Sequence, residues 1–286
     1  MTAHSTSSKP LEIIADIASL RQRLSAEGSI AFVPTMGNLH AGHLHLVKLA
    51  RERAQCVVVS IFVNPLQFGA NEDLDNYPRT LQADCALLAE AGADVVFTPS
   101  PAEMYPATQT MRITPPSIAN ELCGAARPGH FDGVATVVMK LFNIVQPQIA
   151  VFGRKDYQQL FIIRELVRQF NLPIDIIAGE TQREASGLAL SSRNGYLNPA
   201  QKLEAPRLSR TLQLVVDNVR KGNHDYAAIE AQTSQYLTQL GWIVDYISIR
   251  SADTLLPATV DDEALVVLGA ARQGQTRLID NIEFQR

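Results

Sequence analysis

The stretch Ile30 to His43, IAFVPTMGNLHAGH, decides the fold. It opens on four apolar residues, Ile30-Ala31-Phe32-Val33, which read as a short buried strand ending at Pro34. A glycine-containing turn follows. From Ala41 to Ala54 apolar residues then recur with helical period, placing Leu44, Val47 and Ala50 on one stripe. Strand, glycine turn and helix start, in that order, make an anion site: the first N–H groups of a helix lack an intrahelical acceptor and attract negative charge. Gly37 and Gly42 let the chain and a ligand approach closely. His40 and His43 share a helix face and add two imidazole donors suited to charge that grows during a reaction. A metal site built from His40, His43 and His45 is opposed by geometry, since His45 lies about 200° around the helix from His43. The patterns G-x-x-x-x-G-K-[ST] and G-x-G-x-x-G are absent from the sequence, so neither a P-loop nor a dinucleotide fingerprint is supported.

Outward from this stretch, strand and helix alternate over the first 180 or so residues. Leu11 to Ala26 reads as helix. Cys56 to Val63 reads as a strand covered on both faces, because its β-branched run is continuous rather than alternating. Helix is expected over Leu81–Ala91, Gly133–Val145 and Tyr157–Phe170, and strand over Asp94–Thr98, Ile149–Phe152 and Ile174–Ala178. Such alternation predicts a parallel sheet with helices on both faces and ligands beyond the strands' carboxyl ends. After Asn198 the texture changes. Pro199–Lys221 and Tyr226–Leu240 read as helices, and Tyr246–Arg250, Ala264–Ala270 and Thr276–Ile279 as strands. The fold class expected is α/β, a Rossmann-like doubly wound parallel sheet with a smaller α+β C-terminal domain. Its divisions are a flexible tail over 1–10, a nucleotide-binding domain over 11–183 and a C-terminal domain over 184–286.

Composition narrows the function classes. The chain has 286 residues, 46% hydrophobic and 19% charged, with a net charge of −4. That is an ordinary globular core, not a disordered chain, a coiled coil or a fibre. The charge argues against a nucleic-acid partner held by bulk positive potential. Cys56, Cys85 and Cys123 are far apart and form no C-x-x-C pair, which reads as reduced core thiols. The segment MTAHSTSSKP lacks the apolar stretch of a signal peptide, and no apolar run approaches the ~20 residues of a membrane span. A cytoplasmic protein without membrane partners is expected.

Other polar clusters fall where the sheet would place ligands. Gly153-Arg154-Lys155-Asp156 follows a strand. Lys155 reaches a phosphate, while Asp156 reads either as a helix cap or as a ribose ligand. Gln159 is spaced to share a face with Lys155 and Asp156. Asn64 and Gln67 follow the strand at 56–63, and their amides can read a hydroxyl beside a carboxylate. Ser191-Ser192-Arg193-Asn194 offers hydroxyl donors and a permanent cation for an anionic ligand.

H-x-G-H at this position resembles the signature of nucleotidyl transferases that cleave ATP between its α and β phosphates. The blocks V33-P-T-M-G-N-L-H-A-G-H43, F62-V-N-P-L-Q-F-G69, Y77-P-R-T80, R127-P-G-H-F131, F152-G-R-K-D-Y-Q-Q159 and L188-A-L-S-S-R-N-G-Y196 together resemble the pantothenate synthetase (pantoate–β-alanine ligase) family. The resemblance covers nearly the whole chain. It implies ATP-dependent condensation of pantoate with β-alanine through a pantoyl adenylate, giving pantothenate, AMP and pyrophosphate. It places Met36, Gly37, Asn38, Leu39, His40, Ala41, Gly42 and His43 on ATP, with His43 the proton donor to the departing phosphate. Gly153, Arg154, Lys155, Asp156, Gln182, Leu190, Ser191, Ser192 and Arg193 join them. His40, Lys155 and Arg193 are expected to be catalytic with His43. Gln67 and Gln159 would hold pantoate, Gln67 would also approach β-alanine, and Asn64 would assist. Mg2+ would bridge the phosphates with Asp84 as its protein contact. The resemblance further implies a homodimer and a C-terminal domain covering the site. Ser186 stands where many members have Asp, and Arg154 is a bulky cation at a variable position. Two alternatives are a related transferase with a phosphorylated acceptor, for which N-P-L-Q-F-G supplies too little positive charge, and a non-catalytic nucleotide-binding protein.

Overall fold

The computed structural model describes residues 10–69, 72 and 74–286. The tail expected over 1–10 lies, but for Pro10, outside the described residues. The chain divides into two compact units, and each is taken by itself. The first comprises Met1–Thr114, Asp132–Gly153 and Ile163–Gly179; the second comprises Pro115–Phe131, Arg154–Ile162 and Glu180–Arg286. A single cut near 183 would assign Pro115–Phe131 and Arg154–Ile162 to the first unit, whereas they cluster with the C-terminal residues.

The first unit holds six strands, β1 (Glu12–Ile14), β2 (Ile30–Thr35), β3 (Cys56–Ile61), β4 (Val95–Phe97), β5 (Ile149–Gly153) and β6 (Asp175–Gly179). They form one sheet in the order β1-β4-β3-β2-β5-β6, every neighbouring pair parallel. The order reverses between β2 and β5. This is the switch point, where crossover connections diverge and leave a crevice at the strands' carboxyl ends. β3 is interior, between β4 and β2. Val57, Val58 and Val59 are fully buried, as their unbroken apolar run requires. Val33, Val47, Ala50, Val59, Leu88 and Val151 share the core on one side of the sheet. Burial pushes the Cys56 thiol up to about 12, so it stays a neutral apolar filler.

Two expectations are corrected here. Leu11–Ala26 is not one helix: Glu12–Ile14 pairs with β4, and the helix runs over Ile17–Leu24. Asp16 sets the start by accepting the Ser19 N–H at 2.8 Å. β2 also continues past Pro34 to Thr35. β5 pairs β2 only at Ala31 and Phe32, so the missing proline N–H falls beyond that ladder.

In the second unit, β7 (Ile243–Ser251), β8 (Ala264–Gln273) and β9 (Thr276–Gln285) make an antiparallel meander. The helices Arg207–Arg220 and Tyr226–Gln239 pack on it. Leu212, Val216, Leu237, Trp242, Ile249 and Val267 belong to the shared core. The Trp242 indole N–H donates to Glu204 Oε1 at 3.2 Å, satisfying its buried polar edge. The helix expected over Pro199–Lys221 is broken into Pro199–Glu204 and Arg207–Arg220, because Pro206 has no N–H for the helical ladder. β9 runs six residues beyond the expected Ile279, through Asp280 and Asn281, which are themselves buried and whose side chains bond to Arg183 and to the turn at Arg154 and Lys155.

Candidate functional site

In the first unit, the segment after β2 is shaped by its own hydrogen bonds. Thr35 Oγ1 donates to the Ser60 carbonyl at 2.8 Å and accepts the Gly37 N–H at 3.2 Å. Gly37 and Asn38 both take left-handed backbone, φ 84° and 52°, a conformation glycine adopts freely and asparagine more readily than most. Asp84 fixes the turn. Its side chain is 2% exposed; Oδ2 accepts the Asn38 N–H at 3.0 Å and the Thr80 hydroxyl at 3.0 Å, and Oδ1 accepts the Leu39 N–H at 2.9 Å. Thr80 closes the Y77-P-R-T80 block, so that block and V33–His43 meet at one carboxylate.

The helix Ala41–Arg51 begins with His40 as its cap. His40 Nδ1 accepts the Gly42 N–H at 3.1 Å, and His43 Nδ1 accepts the His40 N–H at 3.2 Å. The two rings lie 4.1 Å apart, centroid to centroid. Because each Nδ1 accepts, the neutral ring must carry its proton on Nε2. The cap thus sets both tautomers and makes Nε2–H the donor that each histidine presents away from the helix backbone.

After β3, Gln67 sits in the short 3-10 turn Pro65–Gln67. Its Oε1 accepts from Asn64 Nδ2 at 3.1 Å, and its Nε2 donates to Met36 Sδ at 3.2 Å. Gln67 is thereby brought to the Met36–His43 segment. Asn64 is not left to assist a ligand directly. Besides Gln67 it donates to the Gly133 carbonyl at 3.1 Å, and its Oδ1 accepts from Leu66 N and the Tyr105 hydroxyl.

In the second unit, Lys155 and Asp156 lie in the 3-10 turn Arg154–Asp156, and the α-helix starts only at Tyr157. The i,i+4 spacing expected between Lys155 and Gln159 therefore does not apply across that junction. Asn281 Nδ2 donates to the carbonyls of Arg154 and Lys155 at 3.1 and 2.8 Å and so fixes the turn. The Arg154 side chain is ion-paired with Glu180 and Glu283 rather than held for a ligand. Asp156 is exposed, and Gln159 is half-buried. The neighbouring Gln158 is buried and structural, accepting from Cys123 N at 3.0 Å and donating to the carbonyls of Ile118 and Glu121.

The Ser191–Asn194 block forms the 3-10 turn Ser192–Tyr196, capped by Ser191, whose Oγ accepts the Arg193 N–H at 3.3 Å. Leu190 N donates to the Gln182 carbonyl at 2.9 Å, closing a hairpin over 182–190. Arg183 anchors that hairpin with two bonds to the buried Asp280, at 2.6 and 2.8 Å. The Asp280 hydrogen bonds hold the Arg183 guanidinium above its ordinary pKa. Asn194 is buried and donates to the Ala189 carbonyl at 3.0 Å. Arg183, Asp280 and Tyr105 have no signal in the sequence, because their partners lie 97, 97 and 41 residues away.

Among the described residues, no cluster of three or more His, Cys, Asp or Glu side chains could hold a metal by itself. Asp84 accepts three hydrogen bonds and a carboxylate offers about four lone-pair positions, which leaves one, on Oδ1. One coordination position is what a magnesium ion that keeps several waters would need from protein. No helix among the described residues is long and apolar enough to cross a membrane.

A family model described as Pantoate-beta-alanine ligase matches residues 11–283. The pantothenate synthetase of Methylobacillus flagellatus is 82% identical over 274 residues, which cover 96% of this chain and 99% of that protein. The pantothenate synthetase of Thiobacillus denitrificans is 59% identical, covering 96% and 97%. Among solved structures, pantothenate synthetase from Thermus thermophilus superposes with a TM-score of 0.89 at 43% identity, covering 95% of this chain and 98% of that one. The pantoate-beta-alanine ligase of Francisella tularensis, complexed with beta-gamma ATP and beta-alanine, superposes with a TM-score of 0.76 at 35% identity, covering 95% and 97%.

Proposed function

The chain belongs to the pantoate-beta-alanine ligase family and condenses pantoate with β-alanine using ATP, and we propose that it does so by adenylating pantoate with His40 and His43 as Nε2–H donors. A pantoate carboxylate oxygen attacks the α-phosphorus, the bond from that phosphorus to the bridging oxygen breaks, and pyrophosphate leaves. The β-alanine amine then attacks the acyl carbon. The carbon–oxygen bond to AMP breaks, and the nitrogen loses a proton as the amide forms.

The first step brings one anion against another, so the residues must meet charge that grows at the departing phosphate. The observation that carries the reading is the pair of tautomers fixed by the helix cap. With Nδ1 accepting, the neutral His43 ring cannot give up its Nε2 proton without becoming an imidazolate, so it serves as a hydrogen-bond donor to the leaving pyrophosphate, and His40 donates a second hydrogen bond beside it. Gly42, His43 and Leu44 already give their N–H groups to His40, so the helix Ala41–Arg51 adds to this only the positive end of its dipole. Lys155, Ser191, Ser192 and Arg193 neutralise the triphosphate, and backbone at Gly153, Asp156, Gln182 and Leu190 holds the nucleotide. Arg154 acts by shaping its turn. Gln67 and Gln159 hold pantoate, and Gln67 also meets β-alanine. Mg2+, touching Asp84 Oδ1, would offset phosphate charge. The β-alanine and ATP analogue on the Francisella protein support both as ligands of this family. A homodimer in the cytoplasm completes the reading, and sedimentation of the purified chain tests the dimer.

Pyrophosphate release from ATP tests the chemistry. Release that requires pantoate but not β-alanine is expected, with AMP and pantothenate appearing once β-alanine is added. Release that ignores pantoate overturns the adenylate.

A further inference from the structure

Asn64 is 1% exposed, and every hydrogen-bonding position of its amide is taken within the first unit. Oδ1 accepts the Tyr105 hydroxyl at 2.7 Å and the Leu66 N–H at 3.3 Å; Nδ2 donates to the Gly133 carbonyl and to Gln67 Oε1, each at 3.1 Å. A backbone N–H only donates and a carbonyl only accepts, so the backbone alone identifies the two ends of the amide. The Tyr105 hydroxyl, facing an oxygen, must donate. Its bond is the shortest of the four, and without it Oδ1 keeps only the long contact to Leu66.

The order passes on to Gln67. Because Gln67 Oε1 receives Asn64, its Nε2 turns to the other side, where it meets Met36 Sδ at 3.2 Å. A thioether is a weak acceptor, and a carboxylate or hydroxyl oxygen outcompetes it. Tyr105 is itself held in place. Its ring lies 6.1 Å from that of Phe62, centroid to centroid, and 5.0 Å beneath the Lys140 ammonium, which also donates to Gln109 Oε1 at 3.0 Å. Burial pushes the Tyr105 hydroxyl up to about 12, so it keeps its proton throughout the neutral range.

We propose that Tyr105 is a positioning residue for pantoate: through Asn64 it fixes the Gln67 carboxamide so that its NH2, not its oxygen, faces the substrate. This rests on the reading of Gln67 as a pantoate ligand and adds what orients it. The test is steady-state kinetics with pantoate varied at saturating ATP and β-alanine. Tyr105→Phe is expected to raise the pantoate KM roughly three- to tenfold, the weight of one hydrogen bond, with the ATP KM unchanged and kcat less affected. Gln67→Ala should raise the pantoate KM further, and adding Tyr105→Phe to it should change nothing more. Gln67→Glu, which sets an acceptor against the substrate's carboxylate, should be worse than Gln67→Ala, and this arm is independent of how Tyr105→Phe folds.

A wild-type pantoate KM in Tyr105→Phe beside a raised one in Gln67→Ala overturns the relay and leaves the Gln67 reading standing. Multiplying effects in the double variant overturn it too, since Tyr105 would then act apart from Gln67. Gln67→Glu no worse than Gln67→Ala overturns the assigned polarity. An unchanged KM in Gln67→Ala removes the pantoate reading itself.

Discussion

The turn from Thr35 to His43 and the loop from Arg183 to Asn194, which carry residues proposed to meet the triphosphate, are built on opposite plans. The first is wound around a buried carboxylate. Asp84 holds two successive backbone N–H groups and a threonine hydroxyl, and the helix cap then locks both imidazoles. The second has an exposed tip, Arg183 to Ser186, whose arginine pairs with the buried Asp280, while Leu188 and Asn194 anchor its base. A site that must hold donors where charge develops gains from the first plan, because nothing reorganises during the reaction. A segment that admits and releases ligands gains from the second, since its exposed tip can move while Leu188, Ala189 and Asn194 stay buried.

The sharpest attack on this contrast is His43→Ala. A rigidly presented hydrogen-bond donor should cost roughly 10²–10³ in kcat when removed, with a much smaller change in the KM for ATP; equal losses in both would reduce His43 to a ground-state ligand. Asp84→Asn comes next. Its new NH2 must face one of the three donors now satisfied by the carboxylate, so stability should fall by about 2 kcal/mol, read from chemical denaturation, and turnover should fall as the turn loosens.

The glycines of the two loops form a matched pair. Gly37 (φ 84°) and Gly187 (φ 94°) are both left-handed, but a Cβ at Gly37 would meet Asp84 Oδ2 and Ile61 Cγ2 at 3.1 Å, while one at Gly187 would have no heavy atom of the described residues within 4 Å beyond its chain neighbours. Gly187→Ala should therefore cost only the backbone strain of about 1 kcal/mol, and Gly37→Ala clearly more. Equal costs would erase the difference in packing between the loops. Arg183→Lys should have the mildest effect. It keeps the charge and loses the two-pronged bond, so the ATP KM should rise roughly threefold while the melting temperature barely moves. Hydrogen exchange across 183–190 should rise with it.

Local chemistry was legible where its cause is local. The strand–turn–helix of Ile30 to Arg51 follows from periodicity, glycine and capping residues within about twenty positions, and so does the α/β fold. That Gln67 follows the strand at 56–63 was legible; that this strand lies beside Ile30–Thr35, bringing Gln67 to Met36, was not. What the sequence could not show is who holds whom. Asp84 reads on its helix as a solvated acid or a metal contact, until Asn38 and Leu39 arrive from 46 and 45 residues away. Asn64 looks like a substrate amide until Gly133 and Tyr105 take its remaining positions. Asp280 and Asn281 seem to end a strand, being poor strand formers, yet pairing with Arg183 and with the Arg154 turn carries them through it. Leu11 to Ala26 shows the same limit at the level of elements: its first residues become a strand only because β4 offers an edge.

The place of β5 in the sheet bears on how the protein is made. β2 finds β3 about 26 residues later, but its other edge pairs Ala31 with Ile149. At translation rates of roughly 5–20 residues per second, the ribosome takes about 6 to 24 seconds to deliver that second partner. For that interval a nascent chain carries an apolar strand with unpaired N–H and C=O groups along one side, a template for unwanted pairing. Overproduction in cells depleted of chaperones that bind emerging chains should therefore yield aggregates seeded from Ile30 to Thr35.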